Sequence, residues 1–288
     1  MSAAEQRRWP GRAIVPVAMD LLREAASRKW FLGLGLVITA GLVTLGFSLK
    51  MDVVDGALAA TSFFGHMTRT TIRSVDVALR PLYEACAYLI FYGGLLFGIL
   101  SCADFAPSLL SPGRIEHLLS LPVRRWELLI GTFLGVLILA VLAALYAAGG
   151  LVFILGIKTG SWTVLPIVAA VLASLSFSGL YAVMLTVALY VRSAALSAGA
   201  GVILLILGVV AGHRTDLAPL FEAGFSRESF KAATLLLPRI SSLAKACGDI
   251  AGQVPLEWHS FASMLVGLAV FALAALCIGV WRFDQKDF

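Results

Sequence analysis

Charged residues are scarce in this chain. Only 14% of its 288 residues are Asp, Glu, Lys or Arg, 60% are hydrophobic, and the mean hydropathy is +0.93. Soluble domains usually carry about 25% charged residues, so the composition predicts a polytopic membrane protein. The net charge of +5 is better explained by membrane topology and lipid contact than by nucleic-acid binding, because aromatic and basic residues are not interleaved as in a nucleic-acid groove.

Two sources of energy for transport are missing as well. The chain has no Gly-x-x-x-x-Gly-Lys-Ser/Thr sequence, which excludes an ATP-binding phosphate loop of that type. The predicted spans have no Asp, Glu, Lys, Arg or His near a midpoint, whereas ion-coupled transporters depend on such groups inside the membrane. If the protein moves a substrate, we expect the energy to come from a partner.

Metal-ligating residues are too scattered to predict a metal site. The four cysteines form no Cys-x-x-Cys pair and have no histidine at a zinc-type spacing. A disulfide between Cys86 and Cys247 stays open from the sequence, because both are near the predicted outer ends of spans.

Long apolar runs predict an all-α membrane protein with six transmembrane helices, in a single domain over residues 1–288. Outer loops are expected at 50–82 and 213–258, with short helices inside them at 56–72 and 219–250. The predicted spans are 30–49, 83–103, 128–150, 164–190, 195–212 and 259–281.

Stretch 13–29, within a cytoplasmic head at 1–29, has an amphipathic helical pattern. Leu21 and Leu22 lie on its apolar side, and Arg23 and Arg28 border the other. A helix of this kind that runs directly into a span is typical of an interfacial helix lying along the membrane. The alternative is an ordinary soluble helix.

Glycine pairs at helical spacing mark close helix contacts. Gly94 with Gly98, Gly131 with Gly135, and Gly208 with Gly212 are each four residues apart within predicted spans. We favour packing inside one chain over a dimer contact for these pairs.

A short charged segment, 104–127, separates the second and third predicted spans. Gly113 and Pro122 bracket about two helical turns, which either dock in a groove of a soluble partner or dip into lipid as an interfacial helix. The apolar ridge of the segment is Ile115, Leu118, Leu119 and Leu121, and the charged residues around it are Arg114, Glu116, Arg124 and Glu127.

This segment resembles the coupling region of permease subunits of type-2 ATP-binding-cassette (ABC) exporters. That family carries, roughly, Gly-Thr-x-Glu-x-Leu-Leu-x-x-Pro-Val-x-Arg-x-Glu, with an acidic cluster before it and a Gly-Lys after it. Here the acidic cluster is reduced to Asp104, and Thr132 replaces the lysine. The corresponding sequence is Gly113-Arg114-Ile115-Glu116-His117-Leu118-Leu119-Ser120-Leu121-Pro122-Val123-Arg124-Arg125-Trp126-Glu127.

The resemblance implies an N-terminal elbow helix, six spans and a cytoplasmic coupling helix between spans 2 and 3. It implies a transport subunit that is not itself an enzyme and holds no cofactor, with ATP and Mg²⁺ on a separate cytoplasmic ATPase subunit. A second permease copy or a paralogue would complete the exporter in a bacterial inner membrane. The residues implied are Arg114, Glu116, Leu118, Leu119, Pro122, Arg124 and Glu127 for ATPase coupling, and Leu21, Leu22, Arg23 and Arg28 for the elbow.

Charge counts give the orientation. Lys and Arg near span ends are concentrated in the head, in segment 104–127 and in the tail, whereas those on the other side are spread through long loops. Long loops count weakly in the positive-inside rule, so both termini and segment 104–127 are predicted to be cytoplasmic.

Two other function classes stay open. A membrane enzyme would use the acidic and histidine side chains of segment 104–127, and an assembly subunit would move nothing. The transported substrate and the choice between homodimer and heterodimer are not identified. The candidate enzyme group is Asp104, Glu116, His117 and Glu127.

Overall fold

A computed structural model describes residues 11, 13–54, 57–63, 66–69, 73–111, 113, 120, 123–220 and 224–285, with the backbone alone for Trp30 and 49–78. Six of its helices are long and apolar enough to cross a membrane, which confirms the predicted number of spans and the integral-membrane class. The helices are α1 (Ile14–Ser27), α2 (Lys29–Ser48), α3 (Val75–Cys102), α4 (Phe105–Leu109), α5 (Arg125–Thr159), α6 (Leu165–Val191), α7 (Ala194–Gly212), α8 (Arg214–Leu217), α9 (Phe225–Leu235), α10 (Ile240–Ala251) and α11 (Trp258–Asp284).

The third span is longer than predicted. The sequence predicts its end at residue 150, followed by a connection at 151–163, but α5 continues to Thr159. Residues 151–157 are apolar apart from one glycine, so nothing in them stops a helix. The helix ends at Gly160, whose φ of +71° is the left-handed conformation that glycine adopts at a C-terminal cap.

The fourth span, α6, is the centre of the bundle. It packs against α3, α5, α7, α10 and α11, and Leu180, Tyr181 and Met184 are among its fully buried side chains. Four of the other five spans, α3, α5, α7 and α11, contact this helix.

Helix α10 lies in the part of the outer loop where the sequence predicts short helices, but it is buried in the bundle. It packs against α3, α6 and α7, and Leu243 and Ala244 are completely buried. Gly208 and Gly212 of α7 face Ile240 and Ser241 at its start, so this glycine pair packs inside the chain as favoured. With 12 residues α10 is too short to cross the membrane, so it agrees with the short helices expected in this loop.

A small antiparallel sheet replaces the helix expected at 56–72. Its central pairs include Leu49 with Phe63 and Met51 with Thr61. The sequence signal for it was Asp55-Gly56, a dipeptide typical of two-residue hairpin loops. The strands are β1 (Leu49–Val54), β2 (Ala57–Phe63), β3 (His66–Arg69) and β4 (Arg73–Ser74), in the order β1-β2-β3, with β4 also paired to β2.

The two cysteines whose pairing the sequence left open are both free thiols. Cys247 lies in α10, 1% exposed, and its thiol donates a hydrogen bond to the Ala169 carbonyl of α6 at 3.4 Å. Burial raises the pKa of the Cys247 thiol. Its role is therefore packing between α10 and α6.

Candidate functional site at the terminal face

The charged end of the bundle is the terminal face, where α1, the start of α5 and the end of α11 meet. The Arg125 guanidinium donates hydrogen bonds to the Phe283 carbonyl at 3.2 Å and the Asp284 carbonyl at 3.1 Å. These carbonyls are at the C-terminal end of α11, where a cation is favoured by the helix dipole. The start of the third span is thus tied to the end of the last.

A second contact on this face surrounds Arg28, which directly follows α1. Its guanidinium forms ion pairs with Glu24 at 2.5 Å and with Asp104 at 2.9 Å. The guanidinium also lies 4.5 Å from the ring centroid of Phe105, which stacks on Phe31 at 6.1 Å. Arg28 therefore joins the junction of α1 and α2 to the end of α3.

The electrostatics of Arg28 reflect these two carboxylates. Burial lowers the pKa of the guanidinium, but hydrogen bonds and charge attraction from Glu24 and Asp104 outweigh this effect, so the pKa of Arg28 is raised. The cation–π contact with Phe105 adds to this stabilisation. Because Asp104 is 57% exposed, solvent screens its share of the interaction.

Glu127, in the first turn of α5, is the buried carboxylate of this face. It is 5% exposed. One oxygen accepts the Arg124 amide at 3.0 Å, which caps α5, and the other accepts the Gly11 amide at 2.5 Å. A carboxylate that accepts backbone amides at a helix N-terminus is strongly stabilised. Glu127 therefore links the chain before α1 to the start of α5, with one carboxylate oxygen on the Gly11 amide and the other on the Arg124 amide.

Glycines on α5 let α1 approach this closely. A Cβ on Gly131 would lie 2.7 Å from Val17 and 3.0 Å from the Ile14 carbonyl, and one on Gly135 would lie 3.1 Å from the Ala18 carbonyl. Leu21 completes the contact as a buried side chain. This glycine pair also packs inside the chain, and it explains how an amphipathic helix lies flush against a span.

These contacts have one consequence for segment 104–127. Arg28 holds Asp104 at the start of the segment, and Glu127 holds Gly11 at its end. Helix α1 lies between Gly11 and Arg28, so it braces both ends of the segment at once. Sequence reasoning missed this arrangement, because Asp104 and Gly11 are far from their partners along the chain.

The predicted elbow residues all belong to α1 or directly follow it. Leu21 is buried, Leu22 is half-buried, Arg23 is exposed, and Arg28 makes the ion pairs above. The amphipathic helix predicted at 13–29 is present as α1.

The predicted coupling residues are described only in part. Arg124 is exposed and Glu127 is buried. The Glu127 carboxylate is bound within its own chain, whereas the Arg124 side chain faces solvent. The others lie outside the described residues: Arg114, Glu116, Leu118, Leu119 and Pro122.

The two carboxylates of the candidate enzyme group that the structure describes are both bound by other groups of the chain. Asp104 pairs with Arg28 and Glu127 accepts two backbone amides, while Glu116 and His117 lie outside the described residues. In the described part of the chain, no three His, Cys, Asp or Glu side chains converge to hold a metal ion.

Most of this architecture falls within a known family. Residues 74–288 match the family described as Protein of unknown function (DUF2705). This chain belongs to that family. The match includes segment 104–127 and five of the six spans, and it begins after α1 and α2. No curated protein matches the chain significantly.

Proposed function

We propose that this chain is the membrane-spanning permease subunit of an ATP-driven exporter of the type-2 ABC class. A separate cytoplasmic ATPase subunit would bind ATP and Mg²⁺, and a second permease copy or a paralogue would complete the translocation unit. In this proposal α1 is the elbow helix, segment 104–127 is the coupling segment, and the chain itself catalyses no reaction. The terminal face is cytoplasmic, at a bacterial inner membrane.

The observation that carries the proposal is the double attachment of α1 to segment 104–127. A coupling segment must pass a displacement by its partner to the spans. Here Arg28 and Glu127 link the two ends of the segment to α1, and α1 continues almost directly into α2. A push on the segment would therefore move α1 and the first turns of α2 and α5 as one unit.

The composition of the spans supports a transporter whose energy comes from outside. They carry no Asp, Glu, Lys, Arg or His near a predicted midpoint, and the chain has no Gly-x-x-x-x-Gly-Lys-Ser/Thr phosphate loop. An apolar interior suits a hydrophobic cargo, such as a lipid, a drug or an apolar peptide, better than an ion.

Copurification tests the proposal directly. The tagged protein is isolated from its native membrane in mild detergent, and the bound proteins are identified. We expect an ABC ATPase in stoichiometric amount with the wild type, and its loss when Leu118 and Leu119 are both replaced by Asp.

A matched control uses another adjacent leucine pair. Leu235 and Leu236 are 66% and 77% exposed near the end of α9, in the segment expected on the opposite side of the membrane. Their replacement by Asp should leave ATPase binding unchanged. An absence of any ATPase after crosslinking, or equal loss in both double variants, contradicts the assigned coupling segment.

A further inference from the structure

A charged pocket lies at the end of the bundle opposite the terminal face. It is formed between α8, the 3₁₀ turn at Ala218–Leu220 and α9, and we call it the α9 pocket. Helix α5 starts at the terminal face, and α5, α6 and α7 follow one another through short connections, so α7 ends at the opposite face. Because α8 begins two residues after the end of this span, the α9 pocket is at the membrane boundary.

Three cations line the α9 pocket. Arg214 comes from α8, and Arg227 and Lys231 come from α9. Residues four apart share one side of a helix, so α9 presents both of its cations to the pocket. Among the described lining residues the one carboxylate is Glu228, which pairs with Lys231 at 3.0 Å and is 72% exposed. Solvent weakens such an exposed ion pair, so the pocket stays attractive to an anion.

Arg214 and its neighbour Arg239 lack an acidic partner. Neither forms an ion pair with a residue that the structure describes, whereas Arg227 has an interaction of its own. The Ser242 hydroxyl donates to the Gly212 carbonyl at 3.3 Å, which fastens the start of α10 to the end of α7 and brings the two arginines close. Burial, and then the charge of Arg214, lower the pKa of Arg239.

This arrangement suits a phosphate group. Cations that converge in a cleft attract an anion, and guanidinium and ammonium groups are the side chains that bind phosphate best. A phosphate beside Arg214 would also offset the repulsion from Arg239, because each guanidinium disfavours the charge of the other.

Exposed apolar side chains beside the pocket indicate that the phosphate belongs to a lipid. Phe225 is 91% exposed and Leu236 is 77% exposed, and the eleven residues between them are about three helical turns, so both lie on one side of α9. Leu220 of the 3₁₀ turn is 78% exposed. A helix with cations on one side and large apolar side chains on another is typical of the membrane interface. A soluble phosphate would leave these apolar side chains in water.

We infer that the α9 pocket binds the phosphate of an anionic phospholipid, with Phe225 and Leu236 inserted in the same leaflet. An anionic lipid is favoured over a zwitterionic one, because the ammonium of the latter would meet the same cations. The inference requires only insertion in the membrane and is independent of an ATPase partner, so it stands or fails separately from the proposed function.

Native mass spectrometry of the whole protein tests this inference. The protein is released from nanodiscs containing equal amounts of phosphatidylglycerol and phosphatidylethanolamine. We expect the double variant Arg214→Gln, Lys231→Gln to retain one phosphatidylglycerol fewer per chain than the wild type. Each single change should weaken retention about fivefold, the contribution of one basic residue near an anionic membrane surface.

The controls separate the pocket from general surface charge. Lys245 is an exposed cation of α10 that does not line the pocket, and Lys245→Gln should retain the lipid like the wild type. Glu228→Gln removes the lining carboxylate and should strengthen retention. The double variant Phe225→Ser, Leu236→Ser should weaken retention although it keeps every charge. Melting temperatures that match the wild type show that each variant is folded.

Titration with inorganic phosphate in lipid-free detergent distinguishes the two sources of the phosphate. We expect the same weak response from the wild type and from Arg214→Gln. Saturable phosphate binding that Arg214→Gln abolishes would assign the pocket to a soluble anion and overturn the inference. Equal phosphatidylglycerol retention in the wild type and the double variant Arg214→Gln, Lys231→Gln would overturn it too, and so would an equal loss in Lys245→Gln.

Discussion

Two spans of this bundle have the same mean hydropathy and opposite surroundings. α2 and α6 both reach 2.0 in their most apolar windows, yet 67% of the α6 window is buried inside the protein and none of the α2 window is. A helix as apolar as α2 with so little of its surface buried would be unstable in water. In a bilayer, lipid chains are as apolar as leucine, so hydropathy places a helix in the membrane without placing it in the bundle.

Packing contacts, rather than apolar content, separate the two spans. Gly179 of α6 faces Leu268 of α11 so closely that an added Cβ would lie 2.9 Å from it, whereas Gly33 and Gly35 of α2 face nothing. Ala182 and Ala188 of α6 are completely buried. Small residues occur on both helices, but the closest approach at a described glycine of α2 is the 3.6 Å between an added Cβ on Gly46 and Ile154 of α5, which is ordinary contact.

The largest expected effect comes from substituting these glycines. Gly179→Leu should destabilise the protein by about 1–3 kcal/mol, because a branched side chain overpacks the contact with α11. Gly35→Leu adds the same atoms to a surface that faces lipid and should be neutral. Unfolding in mixed micelles measures both, and equal losses in the two variants would refute the contrast between α2 and α6.

The second prediction concerns α1, because α2 buries none of its own described side chains and is attached to the bundle through α1. α1 is anchored by Glu127, so Glu127→Ala should weaken this attachment by about 2 kcal/mol, since two backbone amides lose a charged acceptor. Trypsin should then cut at Arg23 and Arg28 at least several-fold faster.

The matched control is Glu228→Ala, which removes a 72%-exposed carboxylate of α9 and should leave the cleavage rate unchanged. Glu127→Gln, which keeps one acceptor oxygen, should give an intermediate rate. If Glu127→Ala leaves trypsin cleavage at the wild-type rate, the hydrogen bond to Gly11 does not hold α1.

The spans and the amphipathic helix could be predicted from the sequence because they depend on composition and periodicity over many residues. It placed α1 at 13–29 and the last span at 259–281, close to Ile14–Ser27 and Trp258–Asp284. It also recognised the glycine pairs on α5 and α7 as contacts inside the chain. Each of these signals lies within one continuous segment.

The missed features depend on contacts between distant segments. The ion pair of Arg28 with Asp104 joins residues 76 positions apart, and the hydrogen bond of Gly11 with Glu127 joins residues 116 apart. Helix α10 is buried because α3, α6 and α7 surround it, which its own polar content does not reveal. No single-segment pattern encodes such pairings.

The third prediction uses the pH dependence of stability to test the buried contact between Cys247 of α10 and α6. Because burial raises the pKa of this thiol in the folded protein above its ordinary value of 9.0, its contribution is complete below pH 9 and declines as the pH rises above that value. At pH 10 the unfolded thiol is ionised and the folded one is not, which removes about 1.4 kcal/mol.

Cys247→Ser removes this ionisation, so the variant should lose less stability than the wild type between pH 8 and pH 10. The difference between the two pH profiles cancels the titration of all other groups. Parallel profiles would mean that the thiol is accessible to water, and that the contact between α10 and α6 is looser than the 1% exposure of Cys247 indicates.

The smallest expected effect is at the lipid-facing side, in the ion pair that fixes the start of α2. Arg28 is 23% exposed and Asp104 is 57% exposed, so a double-mutant cycle of Arg28→Ala and Asp104→Ala should give a coupling energy of about 0.2–1 kcal/mol. Raising the salt concentration should reduce it further. Arg28→Lys keeps the charge but loses the planar contact with Phe105, so it should recover only part of the stability. A coupling energy well above this range would show that α2, although unburied, is held at its base as firmly as a core helix.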